Sequence, residues 1–217
     1  MSVSLRNLTL LVAAAVVYTE GAAAQQVQPS QMITLRIVDN ARVPKATLAE
    51  ARTEVVRILA LSGLRTAWIE SPAAAEAAPQ RTTFLFTILN RKTSKWLPHT
   101  AGALGTTPGA EQANSGHVAY IHYDQIENVS RTRKVRRGTS LTPGVSRLLA
   151  YAIVHELGHL ILPVDAHSAS GIMKPLWGVD EYKEMSLGLL NFTLQQADLI
   201  RSELARRSPD WSESLLV

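Results

Sequence analysis

The 217-residue chain has no cysteine, which removes disulfide staples, thiolate metal ligands and cysteine nucleophiles at once. Long hydrophobic runs are also missing. The apolar stretch from Leu8 to Val17 is about ten residues, half of the roughly twenty that a spanning helix needs. No internal repeat is visible. Neither sign of charge dominates: 22 Lys and Arg stand against 18 Asp and Glu, a net +4 that suits an anionic partner without demanding one. With 46% hydrophobic and 18% charged residues, the composition excludes disorder, collagen-like repeats and coiled coils. A chain of this length makes one domain with a core large enough to need no staples.

The amino terminus reads as an address. Arg6 precedes the apolar stretch, and Gly21-Ala22-Ala23-Ala24 before Gln25 is a small-residue cleavage site, the order of a secretory signal peptide over residues 1–24. The expected mature chain, 25–217, is a single domain, secreted or periplasmic, with no membrane attachment once the signal is removed. Export without cysteine leaves packing or a bound metal to supply stability.

Residues Gln31 to Val38 are β-branched and apolar and predict a strand closed by Asp39 and Asn40. Pro44 to Leu61 carries Leu48, Ala51, Val55, Ile58 and Leu59 at helical spacing, with Gly63 just past the end. Leu64 to Glu70 and Thr82 to Leu89 predict two more strands, the second apolar on both faces and so central. Between them, Ser71 to Gln80 reads as a surface loop. Thr100 to Gly116, rich in Gly, Thr and Pro, reads as another loop, and His117 to Ile126 as a strand.

Arg131 to Arg137 places five positive charges in seven residues, without which the mature chain would be −1. No aromatic interleaving or nucleic-acid motif accompanies it, so a solvated loop is preferred to a polyanion patch and no nucleic-acid partner is expected. Thr142-Pro143 opens a largely apolar, hence central, helix through Leu148, Leu149, Ala152, Ile153, Leu157, Leu160 and Ile161 toward Pro163. A last helix is signalled by the capping box Thr193-Leu-Gln-Gln196 and runs to Arg206 and Arg207.

The central helix contains His155-Glu156-Leu157-Gly158-His159. Residues four apart on a helix share a face, so both imidazoles reach one ion, and Glu156 beside them is free to take a proton from a metal-bound water. By chance, a chain with this many His and Glu contains such a pattern about once in a hundred. A catalytic zinc takes three protein ligands. Pro163 forces the chain out of the helix within a turn of His159, and the turn that follows offers His167 and Asp165 as third ligands. Imidazole, the commonest metal ligand, favours His167.

This block resembles the metzincin clan of zinc peptidases, with its pattern HExxHxxGxxH and a following turn that carries a methionine beneath the metal. The resemblance implies Zn2+ held by His155, His159 and His167, Glu156 as general base and acid, and Met173 as the methionine of the turn. It implies an α+β fold with a small mixed sheet, a long helix, a central active-site helix and a C-terminal helix. It further implies a protein or peptide substrate laid along the edge of the strand at His117 to Ile126. Here seven residues separate His159 from His167 where the clan has five, Leu162 stands at the turn glycine, and Lys174-Pro175 follows the methionine.

Two other readings remain. A thermolysin-like enzyme would take Glu181 or Glu184 as third ligand, but the acidic residue expected four positions later is Met185 or Gly188. An exported zinc-binding module would use the same histidines without turnover. His117 and His122 are placed to face opposite sides of a strand, so they do not serve one ion. His99 reads as a loop residue. Trp68, Trp96, Trp177 and Trp211 read as packing residues, with Trp177 also a candidate wall of a specificity pocket.

Overall fold

The structure, a computed structural model, describes residues 31–71, 74, 78–94, 102–109, 117–137, 142–163 and 166–208. The expected signal over 1–24, and Trp96, His99, Asp165 and Trp211, lie outside the described residues. Strand β1 (Gln31–Asp39) stops where the Asp39 carboxylate accepts the amides of Ala41 at 3.0 Å and Val43 at 2.8 Å, an Asx-type turn. Helix α1 (Lys45–Leu61) follows Pro44 and ends at Ser62 and Gly63, the latter at φ 77°, a conformation glycine adopts without strain. Its stripe of Ala51, Val55, Ile58 and Leu59 is fully buried.

Strands β2 (Leu64–Ile69) and β3 (Thr83–Leu89) come next, with a 3-10 turn at Gln80–Thr82 leading into β3. Then follow β4 (Gly105–Thr106), β5 (Val118–His122), and helices α2 (Tyr123–Arg137), α3 (Val145–Ile161), α4 (Val179–Leu187) and α5 (Leu194–Arg207). The fold is α+β with a five-stranded mixed sheet in the order β2-β1-β3-β5-β4. The first four are mutually parallel and the short edge strand β4 is antiparallel to β5. As its two-sided apolarity predicts, β3 is central. Its Phe84 stands beside Leu35 of β1, and its Phe86 and Ile88 beside Ala119 and Ile121 of β5; with Ile33 they are all fully buried in one core with α1 and α3.

Three expectations are corrected. The basic run is not a loop: Arg131 to Arg137 is the second half of α2, which continues directly from β5, so that strand ends at His122 and not at Ile126. Its Gln, Glu, Arg and Lys residues are good helix formers, Asp124 sits in its first turn where the helix dipole favours an anion, and Tyr123, Ile126 and Ser130 are buried. The segment from Thr100 to Gly116 is not all loop, since it supplies β4. Finally, α3 begins two residues later than Thr142-Pro143 suggests, with Gly144 as its N-cap and the Gly144 carbonyl accepting the Leu148 amide.

At the other end of the chain the capping box forms as expected, and the last turn of α5 is tied to α3. Glu203 accepts Arg206 and Arg207, and Arg207 Nη2 donates to the Leu160 carbonyl at 3.1 Å. The hydrogen bond from Arg206 is the main reason the Glu203 carboxyl is held down to about 2, with Arg207 adding to it and burial opposing. A carboxyl lowered in the folded state stabilises above its unfolded value, about 4.3, and the gain disappears as pH falls through its folded value. Glu203→Gln is therefore expected to cost up to about 1 kcal/mol near pH 7, solvent screening limiting the pair. Urea melts should show that deficit closing between pH 5 and pH 2; a deficit independent of pH contradicts the assignment.

Candidate metal centre

Twelve of the seventeen residues of α3 are buried, so the helix is enclosed on nearly every face by α1, α2, α4, α5, β4 and β5. Ionisable groups on such a helix are costly without partners. His155 meets this with Nδ1, which lies 2.8 Å from the Ile172 carbonyl. A carbonyl only accepts, so the neutral ring carries its proton on Nδ1 and presents a bare Nε2. The same carbonyl accepts the Trp177 indole N–H at 3.0 Å, and the indole stands edge-on to His155 with centroids 5.4 Å apart. Trp177 thus stands against His155 and ties its own segment to the Ile172 carbonyl.

His155 and His159 lie one turn apart with Nε2 atoms separated by 3.2 Å. His167 arrives from beyond Pro163, its ring 4.7 Å from that of His159 and 5.6 Å from that of His155. One ligand atom from each of the three lies within 4.8 Å of the others, and no other such group of three occurs among the described residues. Tetrahedral ligands at 2.0 to 2.1 Å from zinc are about 3.3 Å apart, close to the separation of the first pair. That spacing also suits an N–H···N bond between two neutral rings. A hydrogen-bonded pair, however, needs no third ring turned toward it. Burial pushes His155 down to about 4, with His167 adding to the effect and the Ile172 bond opposing; burial and then both neighbouring rings push His159 down to about 3. Neutral imidazoles with inward lone pairs are the form that binds a divalent cation.

Glu156 is 5% exposed and faces the edge strand. The Thr107 hydroxyl donates to its Oε2 at 2.7 Å. Gly105 of β4 lies so close that a Cβ there would stand 2.5 to 2.7 Å from Cγ, Cδ and Oε1 of Glu156. Burial pushes the carboxyl up to about 7 against the pull of Thr107. On the opposite side of α3, Gly158 plays a matching part: a Cβ there would collide with the Met173 sulfur. Met173 is fully buried and packs against the helix backbone between the two histidines.

The chain matches no family model, and no curated protein is similar to it.

His155, Glu156, His159, His167 and Met173 are thus gathered at one end of α3. Glu181 is not in the group, since its carboxylate accepts Lys174 Nζ and the Gly178 amide, each at 2.6 Å, and Glu184 is exposed on α4. His117 and His122 do not converge either. The first is exposed with Nδ1 2.9 Å from the Thr83 carbonyl, and the second is buried with Nε2 3.0 Å from Thr106 Oγ1. Residues without a signal in the sequence are Gly105, Thr107 and Ile172, whose roles depend on contacts across 51, 49 and 17 residues of chain. Gly158 was legible only as the interior of the histidine motif.

Thr107→Val leaves a buried carboxylate oxygen without its donor, a loss of about 1–3 kcal/mol. Urea unfolding should report that loss, and Thr107→Ser should recover most of it. Equal stability of the valine variant and the wild type contradicts the bond.

Proposed function

We propose that the chain is an exported zinc endopeptidase of metzincin type, with His155, His159 and His167 as metal ligands and Glu156 as general base and acid. The convergence of three imidazoles beside a buried carboxyl carries this reading. Residues 1–24 as a signal peptide assign it to the periplasm or the extracellular space. Bound at the three rings, zinc would supply a polarised carbonyl and a water acidified to about pKa 7. Glu156, next to His155 on the helix, would be the group to accept that proton and return it to the leaving amine. The Ile172 carbonyl keeps His155 in the ligating tautomer. Thr107 and Gly105 fix the carboxylate from one side.

The sheet edge expected to receive substrate moves by one strand. Residues Tyr120 and Ile121 of β5 are paired with Thr106 and Gly105, so the edge nearest Glu156 belongs to β4. A peptide adding there would gain main-chain hydrogen bonds and bring its scissile bond beside the carboxylate.

Glu156→Ala should retain one equivalent of zinc by metal analysis and lose peptide cleavage by at least about a hundredfold, the lower range for a general base. Cleavage by this variant at the wild-type rate refutes the mechanism, and zinc retention without cleavage in the wild type itself makes the chain a binding module. A chelator should also lower the melting temperature, because a ligand bound only by the folded state stabilises it by mass action. The reference is His167→Ala, for which calorimetry should show a much smaller chelator effect. A melting temperature indifferent to chelator in the wild type counts against any bound metal.

A further inference from the structure

We infer that Gln196 is a positioning residue that sets the third ligand, His167, an inference that rests on the proposed metal site. His167 is exposed, and seven residues separate it from His159, so something outside the helix must hold its loop in place. Gln196 lies below that loop, 7% exposed, in the first turn of α5. Its Oε1 accepts the Thr193 amide at 3.1 Å, which closes the capping box. Its Nε2 donates to the Ala166 carbonyl at 3.3 Å and to Ser168 Oγ at 3.0 Å, the residues on either side of His167. Ser168 Oγ in turn donates to the Ser170 carbonyl at 2.7 Å, so the direction of each bond is fixed.

The choice of amide separates two roles. A capping box accepts Glu as readily as Gln at this position, and an anion at a helix N-terminus is favoured. The cap alone therefore gives no reason for a carboxamide. Only a carboxamide caps with its oxygen while two N–H groups bracket the loop; a carboxylate has no donor to offer the Ala166 carbonyl.

The test uses the full chain stripped of metal, with zinc affinity measured by competition against a chelating dye and the melting temperature of the metal-free form measured alongside. Gln196→Glu should weaken zinc binding about tenfold or more, the range for residues that orient ligands from behind, and should also lower the metal-free melting temperature, since the Ala166 carbonyl loses its donor. Thr193→Ala, which removes the hydroxyl cap and leaves the bracket, should lower the metal-free melting temperature and leave zinc affinity unchanged. Ser168→Ala removes one of the two bonds from Gln196 to the loop, leaves the capping box of α5 intact, and should weaken zinc by a smaller factor. The inference is overturned if Gln196→Glu binds zinc as tightly as the wild type, or if Thr193→Ala weakens it equally. Should Gln196→Glu fail to fold, unchanged affinity in Ser168→Ala overturns it. A wild-type chain that takes up no zinc refutes the proposed function itself, and the bracket with it; wild-type zinc uptake with unaltered variants refutes the bracket alone.

Discussion

Three ionisable side chains on a helix enclosed by protein set the problem that the remaining structure solves. A buried polar group without a partner costs several kcal/mol at worst, a large part of the stability of a domain this size. The solutions come from three separate stretches of chain. Ile172, in the turn after the helix, supplies the carbonyl for His155; Thr107, on the segment leaving the edge strand, supplies the hydroxyl for Glu156; and His167 is brought toward both rings from the loop between. Two glycines make these approaches possible, because Gly105 gives room to the carboxylate and Gly158 to the methionine sulfur. Take the buried helix away and none of these long-range contacts has a reason to exist.

How far this was legible in the sequence varied with the range of the interaction. Local signals worked well. Helix α1, the strands β1 to β3 and the capped start of α5 fall within a residue or so of their expected bounds, because periodicity, Pro44, Gly63 and Thr193 act within a few positions. The pairing of His155 with His159 is likewise a matter of one helical turn. Strand β4 left no such mark, since two residues have no period and its identity comes from pairing Gly105 with Ile121 and Thr106 with Tyr120. Helix α2 was hidden for another reason. Among its described side chains only Tyr123, Ile126 and Ser130 are buried, and a run of arginines is equally at home in a solvated loop. Short α4 has a glycine N-cap closed by the Glu181 side chain, a pattern weaker in sequence than the Thr-to-Gln box of α5.

The long spacer between His159 and His167 is where local and distant constraints meet. Lengthening a loop by two residues adds only a few tenths of a kcal/mol of closure entropy, so length itself is no obstacle. The difficulty is direction, because each added residue brings two more soft dihedrals. Several fixed points remove that freedom. Leu162, extended at φ −71° and ψ 152°, leaves the helix toward Pro163, and the Ser168 amide donates to the Met173 carbonyl at 3.0 Å. Gly171, at φ 77°, presses so closely on the Asn191 carbonyl that a Cβ would stand 2.7 Å from it, and that same carbonyl accepts the Ile172 amide at 3.0 Å.

The segment from Gly188 to Thr193 is consequently the common support of the methionine turn and, through the first turn of α5, of the His167 loop. A side chain delivered by an irregular loop is as well placed as the regular element beneath it allows. Here that element is α5, whose far end is anchored to the carbonyl of Leu160 by Arg207. The helix carrying the first two histidines and the helix supporting the third are thus tied at the end of α3 and again through the loop. Their relative placement, and with it the separation of the three rings, is held by hydrogen bonds at both places.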